Sequence, residues 1–457
     1  MIVLDKVKFP EKEIGLQPVQ LTDDTMSKRK EIILSKMNEQ NFDSLVIWAD
    51  LEHGGNFEYL VGFLPRFEEA LLILHKDGSA QLVLGNENLN KASKSRIKAD
   101  PIHMPHFSLP NQPMETTKTI DEILVGCGIS NDKKIGIVGW KNFTSHKEEN
   151  CKLFDLPAFI LDGLRAVACN AEFVNATYLF IGENGARTIN NANEFAHYEF
   201  GAALAGNCIL DAMKKIDKGI SEMEVAQCLD AFGQYHSVVT IMATGARFEK
   251  ANMYPSDKKI QLQDTLSITT GFKGGLQSRG GYAVYCEDEL PEASKDYLDR
   301  VAKPYYQAVV SWLENIKIGM KGHELYDLID DVLPKEKYGW KLNPGHLCAD
   351  EEWLSSPIYP KSEEVLKSGM LFQIDIIPSV PGYGGISCES GIMLADAKLR
   401  KSIQEDYPQV WKRVCERQAY IRNELGINIS EDIIPTSIAT AFCNPFLLNK
   451  EVAFKQK

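Results

Sequence analysis

FAHYEFGAALAGNCILDAMKKIDKGISEMEVAQCL, residues 195–229, reads as two helices and the turn between them. Apolar residues recur at Phe195, Tyr198, Ala202, Ala205, Ile209, Met213 and Ile216, the spacing of one helix face. Gly219 stops this helix, since glycine adopts the left-handed backbone of a helix end without strain. Ser221 and Glu224 form an S-x-x-E capping box that starts a second helix through Leu229. Further along the chain the same order returns. A long helical stretch from Ala293 to Ile316 is stopped by Gly319, and a second helix follows with Glu324, Leu325 and Ile329. Each pair leads to a Tyr-Pro step, Tyr254-Pro255 and Tyr359-Pro360, and then to a strand, Thr265 to Thr269 and Met370 to Ile377. Two copies of helix, helix, strand predict a pseudo-twofold α+β domain whose paired helices cover one curved sheet.

Upstream of this duplication the signals alternate. Residues 26–40 are rich in helix formers, and Phe42 to Trp48 read as a buried strand. Two apolar runs between Glu69 and Leu84 flank Lys76-Asp77-Gly78, a hairpin signal. Lys134 to Trp140 read as another strand. These predict a smaller α/β domain over residues 1–185, where Gly182, Asn184 and Gly185 mark the connection, and a second domain over 186–457.

Composition narrows the classes of function. The chain has 457 residues, 44% hydrophobic and 25% charged, as in ordinary globular proteins. Its net charge of -13 argues against nucleic acid and gives no reason to expect a membrane as a partner. The N-terminus, MIVLDKVKFPEKEIG, interrupts its apolar residues with charges and Pro10, unlike a secretory signal. Ten cysteines lie between Cys127 and Cys443 without a C-x-x-C pair, which reads as reduced thiols in a cytoplasmic protein.

The stretch from Asn343 to Leu394 contains NPGHLCADEEW, GMLFQIDIIPS and GYGGISCESGIML. It resembles the late part of the pita-bread peptidase family, which includes methionine aminopeptidase, prolidase, aminopeptidase P and creatinase. That family has a Gly-His pair, a strand ending in Glu, and a Gly-rich turn leading to a second Glu. The matching positions are His346, Asp375 and Glu389. FEYLVGF (Phe57 to Phe63), with the strands around it, looks like a creatinase-type N-terminal domain.

The resemblance also implies ligands that this chain lacks. Family peptidases hold two metal ions through two Asp, one His and two Glu. In LSITTG the first Asp is replaced by Thr269, and in LQSRGG the second is replaced by Arg279 or Gly280. Asn252 and Trp353 stand where two further histidines are expected. Two neighbouring divalent ions need bridging carboxylates to offset their repulsion, so no dinuclear centre is expected. Asp375 also has one methylene less reach than Glu. The alternative is a single divalent metal at His346, Asp375 and Glu389.

Without metal, a His and two carboxylates in a concave site can perform acid–base chemistry. His346, Glu389 and Asp375 are therefore the candidate catalytic residues. Arg279 and Tyr282 are candidates to bind a substrate carboxylate or oxyanion, with an exposed loop charge as the other reading of Arg279. In the first domain, Asp50, Glu52 and His53 cluster ahead of Arg66. They read either as a solvated loop or, by resemblance to creatinase-like homodimers, as substrate-binding residues (His53 and Arg66) reaching a partner's site. Three functions remain open. One is a creatinase-like hydrolase acting on a C–N bond of a small amino-acid-derived substrate or dipeptide, without a dinuclear metal. The others are an Xaa-Pro aminopeptidase or dipeptidase with at most one metal, and a catalytically silent domain that binds a ligand or partner.

Overall fold

The computed structural model describes residues 1–457, which divide into two bodies, residues 21–188 and residues 1–20 with 189–457. Strand β1 (Ile2–Lys6) opens the chain. The first body follows with helix Asp23–Glu39, whose N-terminus is capped by the Thr22 hydroxyl accepting from Thr25 N–H. Met26, Arg29, Ile33 and Met37 form the buried face of that helix. The sheet of this body contains β2 (Ser44–Ala49), β3 (Ala70–His75), β4 (Ala80–Leu84), β5 (Asp100–His103), β6 (Lys134–Val138) and β7 (Glu172–Asn175), in the order β5-β4-β3-β2-β6-β7. β2 lies inside the sheet and every residue in it is buried, which explains its unbroken apolar run. The β3–β4 hairpin turns at Asp77-Gly78, where Gly78 has φ +85°. FEYLVGF is largely a helix, Gly55–Val61, ended by Gly62 in the left-handed region.

The second body begins with helix Ala192–Lys215, opened by a capping box between Asn191 and Glu194. Its sheet comprises β8 (Ile241–Thr244), β9 (Thr265–Phe272), β10 (Gly275–Tyr282), β11 (His346–Leu347), β12 (Leu371–Ile374), β13 (Ser387–Leu394) and β14 (Ile433–Pro435). The order β11-β12-β13-β10-β9-β8 reads the same from either end once β8 is matched with β11, β9 with β12 and β10 with β13. β14 extends the pairing of β13.

The expected duplication is visible bond by bond. Gly219 N–H donates to Ile260 O, and Gly319 N–H to Leu366 O. Ile260 N–H returns to Ile220 O, and Leu366 N–H to Met320 O. Gly219 and Gly319 have φ values of +85° and +87°. Beyond each Tyr-Pro step a serine carbonyl receives the first turn of the second helix, Met223 N–H to Ser256 O and His323 N–H to Ser362 O. Each Tyr-Pro step thus steers the chain back onto its helix pair.

Four expectations need correction. The stretch Ala293–Ile316 is not one α-helix; a π-helical turn at Leu298–Ala302 precedes α-helix Lys303–Asn315. Pro304 has no N–H for the regular ladder, so the wider turn falls just before it. The Glu222–Ala226 helix stops short of Leu229, and β12 ends at Ile374 rather than Ile377. Pro378 holds its predecessor out of the ladder, and Ile377 is exposed. The first twenty residues belong to the second body, not the first. β1 pairs antiparallel with β15 (Val452–Gln456) along its whole length, and Glu13 meets the buried Arg417 at 2.6 Å. No helix is long and apolar enough to cross a membrane.

Candidate active site

Strand alternation decides which side chains meet. Thr269 lies opposite Ser278, Ser278 opposite Glu389, and Gly280 opposite Ser387. Gln373 lies opposite both Gly391 and His346. Cross-strand partners share a face and successive residues alternate, so these positions line one face of the sheet. Asp375 follows the last β12 residue and comes within 3.9 Å of His346, Asp375 Oδ2 to Nε2. The three candidate catalytic residues are therefore brought together on one buried face.

Their surroundings set their protonation. His346 is 1% exposed and its Nδ1 lies 3.1 Å from Leu347 O. That bond assigns the proton to Nδ1 and leaves the Nε2 lone pair on the Asp375 side. Burial holds the imidazole value down at about 4. Asp375 is pushed up to about 7, by burial first and then by the charge of Glu352. Glu389 is raised well above the usual carboxylate range by burial, by Asp375 and by Glu352, against the Ser387 hydroxyl and the field of Arg279. Ser387 Oγ donates to Glu389 Oε1 at 3.3 Å. Burial thus favours the uncharged form of each group, a neutral imidazole and protonated carboxyls. Glu352 was missed by the sequence reading. Its one signal was the acidic run Asp350-Glu351-Glu352 directly after the His346 segment.

Arg279 does not join the site. One residue from Ser278 and Gly280, it points to the opposite face and is buried there. It donates to the carbonyls of Phe442, Ser278, Glu389 and Ala439, and to Gln277 Oε1 and Ser390 Oγ. It is neither a substrate ligand nor an exposed loop charge; it ties β10 and β13 to the C-terminal segment. Tyr282 is two positions past Gly280 and lines a cleft of about 620 Å³ with Thr265, Phe248, Pro291, Gly384 and Gly385. Its hydroxyl accepts from Gly384 N–H at 2.5 Å and donates to Ser294 Oγ at 3.3 Å, so it braces the Gly-rich turn leading to Glu389.

His53 and Arg66 lie in the first body. Asp50 Oδ1 caps its own turn by accepting from Glu52 and His53 N–H, and it also meets His53 Nδ1 at 3.1 Å. The His53 ring stacks on Trp140 with centroids 5.0 Å apart. Arg66 lies over the Phe67 ring at 4.7 Å.

The residues do not fit the family's paired metals. Thr269 Oγ1 donates to Ser278 Oγ at 2.8 Å, and Gly280 has no side chain to offer. His346, Asp375 and Glu389, as placed, do not converge into a group of three metal donors.

Comparison with known proteins agrees with this architecture. Residues 197–396 match the family model "Metallopeptidase family M24". The uncharacterized peptidase YqhT of Bacillus subtilis is 24% identical over 221 residues, 46% of this chain and 60% of that protein. The Xaa-Pro dipeptidase of Pyrococcus furiosus is 24% identical over 219 residues, 46% of this chain and 61% of that protein. The chain thus spans about three fifths of the length of the curated relatives it matches. The solved Xaa-Pro dipeptidase from Bacillus anthracis superposes with a TM-score of 0.61 at 19% identity, covering 82% of this chain and 96% of that one. The prolidase from Pyrococcus horikoshii gives 0.62 at 20% identity, covering 80% and 95%. At such identities these structures establish the shared two-domain fold and nothing more.

Proposed function

We propose, from the match of residues 197–396 to metallopeptidase family M24, that the protein hydrolyses a C–N bond in a small amino-acid-derived substrate or dipeptide. The observation that carries this reading is geometric: His346 stands 3.9 Å from Asp375 on the buried sheet face that also carries Glu389, where burial lowers the imidazole and raises the carboxyls. A neutral imidazole can take a proton from water at Nε2 as that water attacks the carbon. Protonated Glu389 can give its proton to the leaving nitrogen, so that a C–O bond forms as the C–N bond breaks. Transfer of the proton from His346 back to Glu389 restores the site. Oppositely displaced titrations are how one site supplies both acid and base near neutral pH.

A dipeptide with proline is the second reading, favoured by the relatives that bear the name Xaa-Pro dipeptidase. Purified protein is to be scanned against guanidino compounds, small amides and Xaa-Pro dipeptides, with His346→Ala and Glu389→Gln in parallel. Each substitution is expected to cost about a hundredfold or more in turnover, the scale of a lost general acid or base. Near-normal turnover in both variants would place the chemistry elsewhere. Absence of turnover on every substrate would favour a silent, ligand-binding domain.

A further inference from the structure

Residues 7–22 form neither helix nor strand, yet the run as far as Gln20 is fastened to the second body. It lies as a strap across helix Ala192–Lys215 and helix Pro408–Asn423. The Tyr420 hydroxyl donates to Lys8 O at 2.7 Å, and His197 Nδ1 donates to Val19 O at 2.7 Å. Between them, the Asn207 side-chain amide accepts from Glu13 N–H at 2.9 Å and donates to Glu13 O at 2.8 Å. In peptide recognition such main-chain bonds give affinity, and a pocket for one side chain gives specificity. Here the pocket belongs to Glu13. None of residues 11–20 is buried as a whole, and Ile14 is 91% exposed, but the Glu13 side chain is only 5% exposed.

Glu13 Oε1 accepts from Arg417 Nε at 2.6 Å, and Oε2 accepts from Ile438 N–H at 3.3 Å. Arg417 is fully buried and also donates to Glu199 and to Pro435 O. Arg413, one turn earlier on the same helix, holds both oxygens of Glu199, at 2.9 and 2.6 Å. The two carboxylates and two guanidiniums therefore balance only while Glu13 is in place. Without it the cluster keeps a buried positive charge in excess, which is what makes breaking a buried pair costly. Burial raises the Glu13 carboxyl, and Arg417 works against that rise. A cleft of about 800 Å³ opens beside the strap, with Glu13, Val410, Arg413 and Ile438 in its wall. We propose that Arg417 and Ile438 N–H form a carboxylate-binding socket whose resident ligand is the chain's own Glu13. The strap docks as a peptide docks, and a small carboxylate from solution can stand in for the Glu13 side chain. This site is independent of the hydrolase reading.

Glu13→Ala removes a fragment the size of acetate, so the full-length variant tests the socket directly. Trypsin cleavage after Lys8, at a bond the substitution leaves unaltered, reports how often the strap leaves its groove. Cleavage should be about tenfold or more faster in Glu13→Ala than in the natural protein. Acetate at constant ionic strength should reverse most of that acceleration, and acetamide, similar in shape but uncharged, should not. In the natural protein acetate should change nothing, because the socket is already filled. Glu13→Gln should release the strap without responding to acetate, since its amide keeps the space occupied. That variant also carries the test if Glu13→Ala does not fold. Cleavage that is not accelerated in either variant overturns the proposal. So does protection of Glu13→Ala by acetate and acetamide alike, or by neither, or equal slowing of the natural protein by acetate.

Discussion

Replacing Asp375 by Asn removes a titration while keeping the shape of the side chain. In an unfolded chain this carboxyl ionises near its ordinary 3.8, whereas in the folded protein it holds its proton up to about 7. A raised carboxyl makes the folded state bind more protons than the unfolded state across that window, so stability falls as pH rises through it. At about 1.4 kcal/mol per pH unit for one proton, the ionised Asp375 costs the fold on the order of 4 kcal/mol above pH 7. His346 acts in the opposite sense. Depressed from 6.5 to about 4, it stays neutral while the unfolded chain protonates, so stability falls as pH drops from 6.5 towards 4. In the natural protein the two slopes oppose each other between pH 4 and 6.5. In Asp375→Asn the Asp375 slope is gone, while those of His346 and of the raised Glu389 remain. The assay is urea denaturation of both proteins at half-unit steps from pH 4 to 8.5. The variant should match the parent near pH 4, gain stability relative to it up to pH 7, and hold a gain on the order of 4 kcal/mol above that. A flat difference curve would refute the burial argument. A variant less stable than the parent at pH 8, with the deficit abolished by a chelator, would make Asp375 a metal ligand.

Arg279→Met should destabilise by roughly 3–5 kcal/mol, since it strands buried carbonyls that the guanidinium now satisfies. Arg279→Lys should recover little, because an ammonium cannot reproduce the guanidinium fork; denaturant melts test both, and a stable variant defective only in substrate binding would return Arg279 to the site. Gly219→Ala and Gly319→Ala meet no crowding, but each forces a left-handed backbone on a side chain. They should cost about 1–2 kcal/mol each, and equally, in the same melts; a large inequality would show that the two halves are not equivalent. A homodimer, with His53 or Arg66 serving the partner's site, is expected by light scattering, and a monomer at micromolar concentration would count against it.

Sequence alone determined the features written in local patterns. Helix-face spacing, the Gly219 and Gly319 stops, the Ser221–Glu224 cap and the Asp77-Gly78 turn are short-range signals, so the duplicated domain and the hairpin were legible. His346, Asp375 and Glu389 were legible by position within their motifs. What remained depended on pairings between distant segments. The side to which Arg279 points follows from the β10–β13 register, where a shift of one residue exchanges the two faces. β1 joins the second body because its partner, β15, is the last strand of the chain. Glu352 acts on Asp375 and Glu389 only because the loop after β11 returns to that strand through the Leu347–Ser355 bridge. The protonation of His346 and Glu389 was decided last of all, because desolvation comes from the packed surroundings and leaves no mark on the residues that undergo it.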